Sequence, residues 1–280
     1  ATDLGLTLEG PIGDKTTFLF SARRSYLQFL FEVIGLPFLP TYNDFQAKIK
    51  IKPTEKSEIT FVGLGAIDQF TLNLEANETE SQRYLLEQLP VSPQWNYTNG
   101  LVYKHFDEEG YWTFVASRNM LNNEAEKYRN NDESTEDNLT LRYRSQEMEN
   151  KFRAERTLRK NGYKTNFGVL YEYIRYTNET FNQIFTSVGP QTINFYSAID
   201  FHKYGFFGQV SKNYFDERLA LSLGVRMDAN SYSKDMSNLL DQFSPRFSLS
   251  YALSEQLSLN FNTGLFYQIP AYTLMGYREE

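Results

Sequence analysis

Apolar and polar positions alternate with a period of two over most of this chain, most plainly near its end. Phe247, Leu249, Tyr251 and Leu253 fall on one face, followed by Leu257, Leu259, Phe261, Leu265 and Tyr267. Arg246, Ser248, Ser250 and Ala252, then Ser258, Asn260, Asn262, Gly264 and Gln268, fall on the other. Side chains of a β-strand point to opposite faces in turn, so this is a hairpin with one apolar face, turning at Ser254–Gln256. The preceding strand does the same, with Leu219, Leu221, Leu223, Val225 and Met227 opposite Arg218, Ala220, Ser222, Gly224, Arg226 and Asp228. Strands of about 9–12 residues, apolar on one side and small or polar on the other, suit a barrel with lipid outside and water inside.

The same alternation, cut by turn residues, predicts twelve strands. The first six are Asp3–Glu9, Thr16–Leu27, Asp44–Lys52, Glu58–Phe70, Gln94–Phe106 and Tyr111–Leu121. The rest are Asn138–Arg159, Tyr163–Tyr176, a ninth ending in Lys203–Tyr214, Arg218–Asp228, and the two of the final hairpin. Short turns follow the odd strands and long connections follow the even ones. Barrels of the bacterial outer membrane sort their connections in this way, with short periplasmic turns and long external loops. The expectation is an all-β, antiparallel, up-and-down transmembrane barrel wall filling residues 1–280 as one domain.

Composition changes the picture in a few places. Mean hydropathy is −0.52, a value that a barrel reaches by averaging a lipid face with a wet lumen and polar loops. No run of 18 apolar residues exists, which excludes a transmembrane helix. Aromatic residues make up 16%, with 23 Phe and 20 Tyr, which favours strands and interfacial girdles. The net charge of −7 gives no support to nucleic-acid binding. Cysteine is absent, so the chain carries no disulfide or thiolate metal site. It opens directly in a strand pattern, which implies a removed leader or a start inside a longer polypeptide.

Four segments invite chemistry. Asn122–Asp137 carries six carboxylates without EF-hand spacing, and reads as a solvated loop rather than a cation site. Gln28–Tyr42 is a strongly apolar connection that packs on its neighbours as a short helix, caps the lumen or meets a ligand. Of Arg23 and Arg24, one faces the lipid rim if the strand is regular, with lumenal pairing to an acid such as Asp68 as the alternative. His105 and His202 stand alone, and no nucleophile elbow, zinc helix, P-loop or dinucleotide motif is present. The chain reads as a non-enzyme with no cofactor and no metal.

The segments Leu8–Ile12 and Asp14–Leu27 resemble the barrel of TonB-dependent outer-membrane receptors of the Bacteroidetes type. Gly205–Lys212, Leu221–Asp228, Ser244–Tyr251 and Tyr267–Pro270 are similar to later parts of the same barrels, in order. The resemblance implies a barrel of about 22 strands around a plug domain, of which this chain would be roughly half of the wall. It further implies a location in the bacterial outer membrane and import of a nutrient or siderophore. The partners would be the lipid bilayer, the plug and remaining strands, an energy-coupling protein acting through the plug, and a possible surface lipoprotein. Arg226, Asp228 and Gln268, on the lumenal and external side, are the expected ligand-side residues by position. A complete twelve-stranded porin, adhesin or hydrolase is the alternative, and a soluble all-β module is disfavoured by the sorted loops.

Overall fold

A computed structural model describes residues 2–276. The alternating segments form one antiparallel sheet of twelve strands in sequence order. They are β1 (Asp3–Ile12), β2 (Thr16–Ser25), β3 (Phe38–Thr54), β4 (Ser57–Leu72), β5 (Gln94–Phe106) and β6 (Gly110–Tyr128). Then come β7 (Leu139–Lys160), β8 (Tyr163–Thr186), β9 (Gly189–Tyr214), β10 (Leu219–Asn230), β11 (Phe243–Ala252) and β12 (Ser258–Gly264). Each strand pairs with its sequence neighbours, and among the described residues β1 and β12 each have a neighbour on one side alone.

Register keeps the two faces separate across the sheet. Leu219 lies opposite Tyr251, Leu221 opposite Leu249 and Leu223 opposite Phe247. Leu249 then meets Phe261, and Tyr251 meets Leu259. A one-residue slip anywhere would exchange the faces, so this agreement is the fold's main constraint. Large apolar side chains on this face are exposed from Leu4, Leu6 and Leu8 of β1 to Leu259 and Phe261 of β12. Among the described residues no helix is long and apolar enough to cross a membrane.

The turns after odd strands are short, as expected. Two of them are two-residue turns, and in one of these, Asn161–Gly162, both residues have positive φ, 54° and 76°. This is the two-residue geometry whose twist matches that of antiparallel strands, and Gly162 adopts it without a Cβ penalty. The turn after β9 is stranger: Phe215, Asp216 and Glu217 all have φ between 52° and 68°.

The connections after even strands depart from plain loops in three places. The apolar stretch 28–42 packs on its neighbours as a short helix, the first of the readings its sequence allowed. It holds α1 (Leu27–Val33), which stops at Gly35, φ 70°, and then becomes the start of β3. Phe31 meets Phe38 edge-on at 5.4 Å, and Phe38 stacks on Phe70 at 5.4 Å. Residues 122–128 belong to β6, so the acidic loop is shorter than expected. Three of the six acids of the stretch 122–137 are held by arginines: Arg142 pairs with Glu126 and Glu136, and Arg144 with Glu124 and Glu126.

The third departure is the largest. The expected loop 177–190 is strand, and β8 and β9 run on as a hairpin to Thr186 opposite Gly189. Its added length is spent in paired strand, which satisfies its own backbone without an apolar face. The final hairpin departs in the opposite sense. β12 ends at Gly264, so Leu265, Tyr267 and Gln268 follow the strand instead of completing it, and Leu257 precedes it. Pro245 lies on the next rung and lacks the N–H that would continue the ladder. Only the Leu265 N–H to Pro245 O bond forms, at 3.1 Å, and Ser244 Oγ donates to Leu265 O.

Candidate functional site on the inner wall

The polar face of β7–β10 carries an ordered lattice of charges. On β7, Lys151 Nζ lies 2.6 Å from Glu149 Oε2. Glu172 of β8 lies across from Lys203 of β9, with Nζ 2.9 Å from Oε2. On β10, Arg226 and Asp228 share a face at i and i+2 and pair through two bonds, Nε to Oδ2 at 2.6 Å and Nη2 to Oδ1 at 2.9 Å. Gly205 faces Asp228 across the rung. A Cβ there would stand 2.5 Å from Asp228 Oδ1 and 2.9 Å from Met227 O. The glycine is what lets the carboxylate lie flat on β9.

Just outward of this lattice the same face turns apolar. Ile174 and Tyr176 of β8, with Ile199 and Phe201 of β9, are buried, and Met275 completes the cluster. Met275 sits on α3 (Tyr272–Gly276), the short helix that follows the irregular segment after β12. Tyr272 Oη donates to Glu149 Oε1 at 2.5 Å, Tyr232 Oη to Met275 O at 2.6 Å, and Ser197 Oγ to Gly276 O at 2.7 Å. Residues 269–276 are therefore folded back against the inner wall. Nothing in their composition, apart from the proline at position 270, announces this.

The expected site residues separate in the structure. Arg226 and Asp228 meet, on the polar face, but each satisfies the other. Gln268 is exposed and belongs to no strand, four residues past the end of β12. Glu149, Glu172, Lys203 and Tyr272 were not foreseen as members of the site. The signal for the first three was their common parity on adjacent strands, which becomes readable only with the register known. Arg23 resolves its ambiguity inward: it pairs with Asp44 at 2.8 Å rather than with Asp68, while Arg24 turns outward to Asn43. On the apolar face each histidine gains one side-chain hydrogen-bond partner, Ser57 for His105 at 3.4 Å and Tyr171 for His202 at 2.8 Å, and packs on neighbouring tyrosine rings.

Residues 33–278 match the family model described as TonB dependent receptor-like, beta-barrel. The chain belongs to this family of TonB-dependent receptor barrels. It is thereby placed in the outer membrane, in a family of transport receptors. Solved structures agree on the fold. The siderophore receptor PirA from Acinetobacter baumannii superposes with a TM-score of 0.66 at 15% identity, over 96% of this chain and 40% of that one. The ferric enterobactin receptor PfeA in complex with BCV-L6 gives 0.65 at 13% identity, over 96% and 42%. The copper transporter OprC gives 0.62 at 14% identity, over 94% and 43%. The chain thus spans about two fifths of the length of the receptors it matches. No curated protein sequence matches it.

Proposed function

We propose that this chain is about half of the barrel wall of an energy-coupled outer-membrane importer for a metal chelate or similar nutrient. The observation that carries the reading is the linear twelve-stranded sheet, with an exposed apolar outer face and a charged inner face. Lipid can cover the outer face. The two free edges need further strands, because unpaired backbone in hydrocarbon costs several kcal/mol per group, by the order of magnitude for unsatisfied amides. Leu219, Leu221, Leu223, Val225, Phe247, Leu249, Tyr251, Leu259 and Phe261 then face acyl chains, with Leu257, Leu265 and Tyr267 at the margins. The charge lattice faces the lumen, where a plug domain and its water would lie against it. The wall does no covalent chemistry; it holds the plug and lines the path that opens when the inner-membrane energy complex pulls. Arg226 and Asp228 serve as a fixed polar rail in this reading, and Gln268 as an exposed contact.

The test is uptake by cells with and without the receptor that contains this wall. A panel of labelled iron chelates, copper, cobalamin and oligosaccharides is offered, with and without a protonophore. Uptake of one class that depends on both the receptor and the proton gradient supports the proposal. Gradient-independent leakage of all small solutes would instead show an open pore.

A further inference from the structure

Two adjacent rungs of the outer face form an unusual pair. The inner one runs Phe61, Leu101, Ala116, Phe152, Tyr171 across β4–β8. The next rung on this face, two residues further from the short turns, runs Gly63, Asn99, Arg118, Asn150, Tyr173. Ala116 is the one small residue among four bulky ones, and the surface dips there into a groove of about 460 Å³. Directly outward of the dip stand three polar side chains, with Arg118 in the middle.

Arg118 is held by neutral groups alone. Its Nε donates to Tyr97 Oη at 3.1 Å and its Nη1 to Asn150 Oδ1 at 3.4 Å. Among the described residues no carboxylate lies within ion-pair distance of it. Tyr97 is two residues further out than Asn99, the rung partner of Arg118, so the guanidinium leans toward the external surface. Trp95 stacks on Tyr97, with centroids 6.3 Å apart and planes at 6°, as expected of an interfacial aromatic pair. A cation on a lipid-facing surface is costly without a counter-charge. A guanidinium fork matches phosphate geometry, and two amides beside it add hydrogen-bond donors.

We propose that this groove is a binding site for a phosphate-bearing lipid of the outer leaflet. The phosphate sits on Arg118 between Asn99 and Asn150, and an acyl chain lies in the notch over Ala116. The proposal rests on the apolar face being the lipid side. A receptor that stayed soluble without detergent would defeat that premise, as distinct from the site itself.

The experiment is native mass spectrometry of the intact receptor in detergent, titrated with lipid A or with dephosphorylated lipid A. The receptor should retain lipid A and not the dephosphorylated form. Arg118→Gln should weaken retention by about tenfold or more, the equivalent of one lost charge-assisted bond. Ala116→Leu, which fills the notch and leaves the charge, should weaken it as well. Arg24→Gln, on the same face but away from the groove, should leave it unchanged. Heat-modifiable gel migration identifies folded variants, and two independent variants keep the test alive if one misfolds. Equal retention by Arg118→Gln overturns the proposal, as does equal retention of the dephosphorylated lipid. So does a photo-crosslinker at position 116 that captures a protein in place of lipid.

Discussion

At the scale of single residues, the wall is set by small groups in places where nothing larger fits. Gly205→Ala pushes a methyl into the Asp228 carboxylate and the Met227 carbonyl. A destabilisation of about 1–3 kcal/mol is expected from overpacking, read as a lower urea midpoint for loss of the heat-modifiable band. The turn after β9 offers the opposite case. Its three left-handed non-glycine residues carry roughly 1–2 kcal/mol each of backbone cost, so Glu217→Gly should raise the same midpoint. Asp107, at the β5–β6 turn, shows how a charge is held. A hydrogen bond from Arg156 at 2.5 Å, with backbone N–H groups of Glu109 and Gly110, lowers its pKa from 3.8 to about 2. A carboxylate with a depressed pKa stabilises the fold fully above its ordinary value and loses that contribution as pH falls through the folded one. The Arg156 guanidinium lies 5.5 Å from the Trp112 ring centre, so Trp112 can report the event. The fluorescence difference between the receptor and its Trp112→Phe variant should change near pH 2 and be flat near pH 4. A midpoint near 4 would mean that the pair is not formed.

At the scale of elements, the external loops are tied to one another as well as to the sheet. Helix α2 (Glu80–Gln88) starts with a capping box between Thr79 and Gln82, and the Gln82 amide donates to Gly35 O at 2.7 Å. Its far end is held by Lys127, whose ammonium donates to Leu86 O, to Leu89 O at 3.0 Å and to Asn131 Oδ1 at 2.6 Å. Replacing this cation with methionine leaves the last carbonyls of the helix uncapped. Lys127→Met should speed hydrogen exchange and protease cleavage over residues 73–93 and leave the strands protected. Much of this scale was legible beforehand. β1, the later part of β3, and β10 follow from alternation alone, because one face of each must meet an apolar phase. The stretch 177–190 was not, because a strand standing in water has no apolar face to betray its period. Leu265 and Tyr267 misled for the converse reason: their alternation continues, but Pro245 on the neighbouring strand cannot extend the ladder. The Arg226–Asp228 pair was visible as two residues on one face, whereas their mutual neutralisation depends on rotamers and on Gly205, which no periodicity reports.

At the scale of the whole molecule, the free edges of β1 and β12 govern behaviour. Refolded alone into micelles, residues 1–280 should give no discrete heat-modifiable monomer, and supplying the remaining strands should restore one. A well-behaved monomer from the isolated chain would mean that twelve strands close on themselves. The two sides of the sheet also differ in height. β8, with 24 residues, measures roughly 80 Å along its path at the usual rise per residue, and about ten residues suffice to cross a membrane. The β8–β9 arms thus stand as a tall parapet along one stretch of this rim, whereas α1 and α2 form a low, mutually braced sill along another. In the proposed importer, a bulky solute that crosses this part of the rim finds its easier line of approach over the sill, and the parapet screens the lumen behind it.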